Sequence, residues 1–155
     1  MPKKGANMKK IRDESQNQAA DACLFCRIIK GEVPALIVYE DDMLCAIADV
    51  SPVTIGHTLI ISKQHYADIF GMPEVPLRQV MVVAQKLAML YKRGLNAQAV
   101  NILSASGKAA HQSVFHFHVH LIPRYEDDGV DLDFHGNPRL REKSQKALEK
   151  LKGML

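Results

Sequence analysis

Residues 111–124 read HQSVFHFHVHLIPR, and this stretch decides how the rest of the chain is arranged. Histidines occupy every second position from His116 to His120, with apolar residues between them. Period-two alternation with β-branched and aromatic residues predicts a β-strand. Successive side chains of a strand point to opposite faces, so the imidazoles are expected on one face and the apolar residues in the core. The apolar residues are Phe115, Phe117, Val119 and Leu121.

Three imidazoles in one row are hard to explain as packing, because each buried ring must find hydrogen-bond partners. On a strand, neighbouring rings would lie about 6.6 Å apart at the backbone and the outer two about 13 Å apart. A zinc–nitrogen bond measures about 2.1 Å, so adjacent rings can tilt toward one metal but all three are not expected on it. The preferred interpretation is that one end ligates or orients while His118 does chemistry at phosphorus. A run of hydrogen-bonded core histidines is the alternative.

Length and composition indicate a single globular domain. The chain has 155 residues, of which 47% are hydrophobic, and this is enough to bury one core. No apolar run approaches the roughly 18 residues of a transmembrane helix, and no apolar segment follows the N-terminal lysines as in a secretory signal. Three cysteines, an odd number, favour a reducing cytoplasm. Cys45 lies in the apolar run MLCAIA and is expected in the core.

The net charge of +3 is unevenly distributed. Residues 1–12 hold five basic residues and no acid, which leaves 15 basic against 17 acidic residues elsewhere. The body is therefore not expected to bind nucleic acid. Residues 1–20 are predicted to be a disordered basic tail, with a weak nucleic-acid or membrane contact as the alternative, and 21–155 a single domain.

Hydrophobic periodicity predicts three helices and five strands. The helices are expected near 22–30, 77–93 and 139–152. The strands are expected at 36–41, 43–49, 57–63 and 98–104, with the histidine stretch as the fifth. In the long helix, Met81 and Met89 are predicted to fill the core.

Several shorter patterns suggest site residues without deciding their role. Cys23 and Cys26 have C-x-x-C spacing, which suits a zinc ion, a redox pair or neither; the strand–helix context typical of the redox pair is missing. Asp49 follows a predicted strand and can either accept hydrogen bonds from two ribose hydroxyls or cap the loop. Gly107 lies in the small-residue loop SASGKAA, whose backbone amides can hold phosphate oxygens.

Three motifs together resemble the histidine triad (HIT) superfamily: CLFCRIIKGEVPALIVYEDD, DVSPVTIGHTLIISKQH and HQSVFHFHVHLIPR. The resemblance covers about residues 22–125, in the family's order. It implies an α+β fold with a five-stranded antiparallel sheet. It also implies a homodimer joined along the helix at 77–93 and the strand after it. Family members are nucleotide hydrolases or nucleotidyl transferases that act at the α-phosphate.

The resemblance also implies roles for individual residues. His118 matches the nucleophile that forms a nucleotidyl-histidine, and His120 and His57 match the residues that hold the phosphate. Ser113 would hydrogen-bond the leaving group or a phosphate oxygen, and Gln112 would shape the phosphate loop.

Substrate and metal ligands follow from the same motifs. Asp49 matches the acid that binds ribose hydroxyls. The residues that match the apolar slot for a purine are Phe25, Ile28, Val33, Ile47 and Val50, which would otherwise be ordinary core. The ligands that match those of the family's zinc-bearing branches are Cys23, Cys26, His65 and His116. The alternative is a reduced cysteine pair with His116 bonded to the backbone.

Two positions depart from the family pattern. Ala105 stands where the family has Asn or Gln, which leaves the leaving-group contacts to Ser104 or Ser106, and His111 stands where it has Gly. The first functional hypothesis is hydrolysis of purine nucleoside 5′-phosphoramidates or related AMP or GMP conjugates. The second is a dinucleoside polyphosphate hydrolase, and the third is a nucleotide-binding protein with vestigial activity.

Overall fold

The computed structural model describes residues 20–132 and 135–154. Its strands are β1 (Ile37–Glu40), β2 (Leu44–Ala48), β3 (Thr58–Ser62), β4 (Ala99–Leu103) and β5 (His118–Arg124). Its α-helices are α1 (Leu24–Ile29), α2 (Glu74–Gly94) and α3 (Arg141–Lys152). The strands form one antiparallel sheet in the order β1-β2-β3-β5-β4. The predicted fold class is confirmed, while the predicted tail, apart from Ala20, lies outside the described residues.

The long helix α2 covers one face of the sheet. Its buried residues recur with helical spacing and are Val80, Val83, Ala84, Leu87 and Tyr91. They pack with sheet residues that include Ile60, Val119 and Leu121 in one hydrophobic cluster. The prediction that Met81 and Met89 fill the core is wrong, because these side chains are 53% and 55% exposed.

The opposite face of the sheet carries α1 and the histidines. Phe25 and Ile28 of α1 are buried against this face, in one cluster with Leu59 and Ile61 of β3. In the β3–β5 ladder, Leu59 pairs with His120 and Ile61 pairs with His118. Paired residues on adjacent strands project to the same face. The register therefore places both imidazoles on the side of α1, away from α2.

The histidine strand begins later than the alternation predicts. β3 ends at Ser62 and β4 ends at Leu103, which pairs with His120, so these ladders stop near the start of β5. Before His118 the backbone amides take other partners, and the Phe117 amide donates to the Tyr66 carbonyl at 2.6 Å. Phe117, Val119 and Leu121 are buried as predicted, but the prediction for Phe115 is wrong, because its side chain is 51% exposed.

The last helix lies at the surface. A 3₁₀ turn at Pro138–Leu140 precedes α3, and the Asn137 side chain accepts a hydrogen bond from the Arg139 amide at its start. No residue of α3 is buried.

Candidate active site

Four soft ligands converge between α1, the end of β3 and the segment before β5. The ligand atoms of Cys23, Cys26, His65 and His116 all lie within 4.8 Å of one another. His116 Nδ1 lies 3.4 Å from Cys23 Sγ and 3.5 Å from Cys26 Sγ, and His65 Nδ1 lies 3.3 Å from Cys26 Sγ. Zinc bonds of about 2.1–2.3 Å at tetrahedral corners separate ligand atoms by about 3.4–3.8 Å. The group therefore has the size and chemistry of a tetrahedral Cys₂His₂ site.

The second nitrogen of His116 supports this geometry. Nε2 lies 2.7 Å from the Ser62 carbonyl oxygen, so it carries the proton and Nδ1 presents its lone pair to the cysteines. A histidine that ligates a metal usually donates its other ring N–H to such an acceptor. Burial lowers the pKa of His116 to about 4, which keeps the ring neutral, the form that binds a metal.

The two thiols crowd each other. Burial, followed by the charge of Cys23, raises the pKa of Cys26 to about 12. A divalent cation between the sulfurs would reverse this effect, because it stabilises both thiolates. Cys45 is also buried, as predicted, but it lies outside the four-ligand group.

His118 is oriented by the backbone and lies outside the group of possible metal ligands. Its Nδ1 atom lies 2.7 Å from the carbonyl oxygen of His116, so Nδ1 donates and Nε2 carries the lone pair. The ring is 4% exposed and makes edge contacts with Phe25 and His120, at centroid distances of 5.2 and 5.1 Å. Among the described residues, nothing donates a hydrogen bond to Nε2.

His57 and His120 form a second oriented pair. The Val53 amide donates to His57 Nδ1 at 3.2 Å, so the proton of the neutral ring lies on Nε2. That Nε2 lies 2.9 Å from His120 Nδ1 and donates to it, which leaves the proton of His120 on its Nε2. Burial lowers the pKa of both rings. The Nε2–H group of His120 is thus a hydrogen-bond donor on the ring that contacts His118.

Asp49 completes this pair but does not make it a metal site. Its Oδ2 atom lies 3.6 Å from His57 Nε2, and the three side chains lie close enough to hold an ion. However, a histidine that binds a metal through Nε2 carries its proton on Nδ1. Nδ1 of His57 accepts a hydrogen bond from the Val53 amide and therefore has no proton. Asp49 also caps the loop, because its Oδ1 accepts from the Ser51 amide at 2.8 Å.

Gln112 fastens the small-residue loop that precedes β5. Its Oε1 accepts from the Gly107 amide at 2.8 Å, and its Nε2 donates to the carbonyl oxygens of Ala67 and Val114 at 2.6 and 3.0 Å. The Gly107 amide, predicted as part of a phosphate cradle, is therefore already paired with Gln112. Gly107 has φ +89°, a conformation that only glycine adopts easily.

The hydroxyl groups near Ala105 are bonded within the protein. Ser104 Oγ donates to the His118 carbonyl oxygen at 2.9 Å, and Ser106 Oγ accepts from the Ile69 amide at 3.1 Å. Ser113 is exposed and lines a cleft of about 370 Å³. Of these three hydroxyls, that of Ser113 is the one that makes no hydrogen bond among the described residues.

The predicted purine slot is only partly assembled. Phe25, Ile28 and Ile47 are buried in one cluster, with Val33 packed against it. Val50 is 96% exposed and lies outside that cluster. Sequence reasoning missed the groups that orient the rings, namely the carbonyls of Ser62 and His116 and the Val53 amide. A backbone atom carries no residue-specific signal.

Comparison with known proteins identifies the family of this chain. A family model described as the HIT domain matches residues 30–127. The chain belongs to the HIT family. The row His116, His118 and His120 of this HIT domain lies within the matched range, as do Asp49 and Gly107, whereas Cys23 and Cys26 precede it.

Relatives of this HIT domain cover most of its length. An uncharacterized HIT-like protein of Borreliella burgdorferi is 43% identical over 110 residues, which are 69% of this chain and 78% of the relative. An adenylylsulfatase of Arabidopsis thaliana is 40% identical over 109 residues, 68% of this chain and 54% of the relative.

Solved structures share the fold of this HIT domain. A HIT family protein from Bacillus anthracis superposes with a TM-score of 0.79 at 36% identity, covering 87% of this chain and 98% of its own. A zinc-bound histidine triad family protein from Mycobacterium smegmatis gives a TM-score of 0.69 at 36% identity, covering 88% and 99%. No helix among the described residues of the HIT domain is long and apolar enough to cross a membrane.

Proposed function

We propose that this HIT protein hydrolyses purine nucleoside 5′-phosphoramidates, or related AMP or GMP conjugates, at the α-phosphate. The observation that carries the proposal is the 2.7 Å hydrogen bond from His118 Nδ1 to the His116 carbonyl. It directs Nδ1 to the backbone and leaves the lone pair of Nε2 free to attack phosphorus. A relative named as an adenylylsulfatase supports hydrolysis of an adenylyl conjugate.

The proposed reaction has two steps. In the first, His118 Nε2 bonds to the α-phosphorus, the phosphorus–nitrogen bond breaks, and the leaving nitrogen takes a proton from solvent and departs as an amine. In the second, a water oxygen bonds to phosphorus and gives one proton back to solvent, the phosphorus–His118 bond breaks, and the nucleotide is released. Splitting one difficult displacement into two easier ones is the usual gain of a covalent intermediate.

His120 and His57 serve the charge that develops on the phosphate. The hydrogen bond from His57 to His120 Nδ1, 2.9 Å long, leaves an N–H on the far nitrogen of His120. A preorganised donor stabilises a developing negative charge better than water does. In this scheme, His120 contacts the phosphate or the leaving nitrogen, and His57 fixes its tautomer.

The remaining proposed contacts involve the nucleoside and the leaving group. Asp49 accepts hydrogen bonds from the ribose hydroxyls with Oδ2, the oxygen that faces His57, because its Oδ1 already accepts from the Ser51 amide. Ser113 contacts the leaving group or a phosphate oxygen, and Gln112 and Gly107 hold the loop in shape. The purine is bounded by the apolar group Phe25, Ile28, Val33, Ile47 and Val50.

We propose that Cys23, Cys26, His65 and His116 hold a structural zinc ion. The four ligand atoms lie within 4.8 Å of one another, with three of their separations between 3.3 and 3.5 Å, and the related protein from Mycobacterium smegmatis is zinc-bound. The ion would tie α1 to the segment before β5 and fix the His116 carbonyl, which in turn orients His118. It takes no part in the chemical steps.

We propose a homodimer that joins through α2 and β4. β4 is an edge strand of the sheet, and α2 exposes Val82, Met89 and Leu90 by 57%, 55% and 51%. Apolar side chains of this number on one face are typical of a protein interface. We also expect the protein in the cytoplasm, where the two thiols of the site stay reduced and available for zinc. No membrane and no nucleic-acid partner is proposed.

A second candidate function is cleavage of conjugates with an anionic leaving group. Lys108 lies on the exposed turn next to His111, which Gln112 holds in place, and the positive charge of the lysine favours a polyphosphate or sulfate. Dinucleoside polyphosphates and adenylyl sulfate are the corresponding substrates. A third candidate is nucleotide binding with vestigial turnover.

The deciding experiment is a substrate panel. Initial rates are measured on an AMP–amine conjugate, on diadenosine tri- and tetraphosphate and on adenylyl sulfate, with the His118→Gly protein as the blank. We expect kcat/KM to be at least about tenfold higher for the AMP–amine conjugate, a difference of about 1.4 kcal/mol. A higher kcat/KM for a dinucleotide or for adenylyl sulfate would favour the second candidate function. Rates equal to the blank on every substrate would favour the third, nucleotide binding with vestigial turnover.

A further inference from the structure

Helix α3 and the turn before it form an exposed amphipathic segment. Leu140, Leu148 and Leu151 lie on one side of it and are 54%, 58% and 51% exposed. No residue of the 12-residue helix is buried. A helix of this length is marginal in water without tertiary packing. The segment therefore requires a surface that covers its leucines.

The width of the apolar stripe indicates a protein surface. The leucines and Ala147 follow an a/d-like spacing, which gives a narrow seam and not a broad apolar face. Helices that lie in a membrane interface have large aromatic or aliphatic faces. The residues from 138 to 154 contain no aromatic side chain. A narrow seam suits packing into a cleft.

Charge indicates the kind of surface. Residues 135–154 carry six basic and two acidic side chains, a net charge of +4. Residues 20–132 carry nine basic and twelve acidic side chains, a net charge of −3. Opposite charge on two surfaces favours their association and sets its orientation. The body of this same chain is thus a matching partner for the helix.

One cleft of the body combines apolar walls with an acidic edge. It has a volume of about 470 Å³ and is lined by Pro52, Val53, Thr54, Ile55, Tyr125 and Asp128. Ile55 is 75% exposed and Val53 is 48% exposed. Glu126 and Asp127 follow Tyr125 in the chain and are exposed. Asp128 is already paired with Arg124, so Glu126 and Asp127 supply the acidic rim for lysines or arginines, and the apolar walls can receive leucines.

We propose that α3 of one copy docks into this cleft of a second copy of the chain. In its own chain α3 stays exposed, and the charge of the body makes a second copy the matching seat. The inference rests on the proposed homodimer, which brings two copies together. Because the Val53 amide holds His57, the docked helix would also steady the loop that orients the active-site rings.

A photo-crosslinker tests the contact directly. p-Benzoylphenylalanine is placed at position 148, on the leucine stripe, and in a control protein at position 149, which faces away from it. Each protein is mixed with an isotope-labelled wild-type chain before irradiation. We expect position 148 to give labelled–unlabelled crosslinks to peptides that contain residues 50–56 or 125–128, in at least fivefold higher yield than position 149.

Hydrogen exchange gives a second measurement on the full-length protein. In the double variant Leu148→Glu/Leu151→Glu we expect amides 53–56 to exchange at least tenfold faster, while Gln145→Glu leaves them unchanged. Light scattering shows separately whether the variant is still a dimer, and turnover of the AMP–amine conjugate shows whether the proposed function holds.

The proposal is overturned by crosslinks confined to one copy or of equal yield from positions 148 and 149. Unchanged exchange of amides 53–56 in the double variant also overturns it. Binding of α3 to phosphatidylglycerol vesicles with no effect on those amides would replace it with a membrane contact.

Discussion

The Nδ1 atom of His118 lies 2.7 Å from the carbonyl oxygen of His116. The side chain of His116 thus lies among the possible zinc ligands, and its backbone oxygen accepts a hydrogen bond from the ring of His118. The ring of His116 donates in turn to the Ser62 carbonyl at 2.7 Å. Both imidazoles therefore have a fixed tautomer, and each presents one lone pair in a defined direction.

Replacing His118 tests the covalent step. We expect His118→Gly to lower turnover of an AMP–amine conjugate by on the order of 10⁴-fold, because the nucleophile is lost. Mass spectrometry of acid-quenched wild-type enzyme should show a nucleotidyl adduct on the peptide that contains His118. His111→Gly, a change in the neighbouring turn, should retain the adduct. A His118→Gly protein with wild-type turnover would exclude the intermediate.

Metal analysis tests the zinc site. We expect about one equivalent of zinc per chain in the purified protein and less than about a tenth in Cys26→Ser. Loss of the ion should lower the melting temperature, because metal binding is coupled to folding. Cys45→Ala is the matched control, since Cys45 is equally buried but lies outside the ligand group. Wild-type protein with under a tenth of an equivalent would refute the site.

Stability should decrease as the pH falls, and His57 and His120 are two of the buried histidines that contribute to this decrease. Burial lowers the pKa of both rings below the ordinary value of 6.5, so the unfolded chain binds protons at a higher pH than the folded one. The free energy of unfolding is then highest above about pH 6.5 and decreases as the pH falls below it.

The measurement is chemical unfolding at several pH values from about 7 to about 5. His57→Asn should give a shallower decrease than the wild-type protein, because one of the two rings no longer titrates. Ring NMR signals of His57 and His120 with midpoints above 6.5 would contradict the direction of both shifts.

Gln112 is expected to stabilise the loop before β5. Its amide makes three hydrogen bonds, to Gly107, Ala67 and Val114. Gln112→Ala removes these three part-buried hydrogen bonds, which should cost about 1–3 kcal/mol of unfolding free energy and reduce turnover. Gln145→Ala on α3 removes an amide from an exposed helix and should change stability by less than about 0.5 kcal/mol. Equal effects of the two substitutions would show that the three hydrogen bonds of Gln112 do not stabilise the loop.

Glycine substitutions separate backbone strain from steric clash. Gly56 has φ +88°, and a Cβ atom there would lie 2.8 Å from Leu95 Cδ1 and 3.2 Å from Pro123 Cγ. Gly56→Ala should therefore cost about 2–4 kcal/mol. At Gly107, which has φ +89° and ψ 161°, a Cβ atom would meet nothing within 4 Å, so the alanine variant should cost only the backbone strain, about 1–3 kcal/mol.

Gly71→Ala is the neutral control, because its Cβ would meet open space at an ordinary φ. Its free energy of unfolding should stay within about 0.5 kcal/mol of the wild-type value. Equilibrium unfolding in urea compares the three variants, and a Gly56→Ala protein as stable as Gly107→Ala would show that the contacts at Gly56 relax.

Predictions of burial from the sequence were correct at many positions where a local periodic pattern supported them. Buried positions such as Val80, Leu87 and Val119 follow from helical or alternating periodicity. The same reasoning failed for Phe115 and Met81. Alternation continues through Phe115 although the neighbouring strands have ended, and periodicity on α2 cannot tell a core face from an exposed apolar one.

The sequence alone determined the kinds of element, the residues that could bind metal or attack phosphorus, and the alternation that puts His118 and His120 on one face of a strand. The family resemblance also named Cys23, Cys26, His65 and His116 as one ligand set. Only the tertiary structure decided that β5 begins after His116, at His118, and that Val53 and Ser62 fix the tautomers of the rings. The physical reason is that residue type sets periodicity and chemistry along the chain. Which backbone carbonyl or amide meets a given ring depends instead on how distant segments pack.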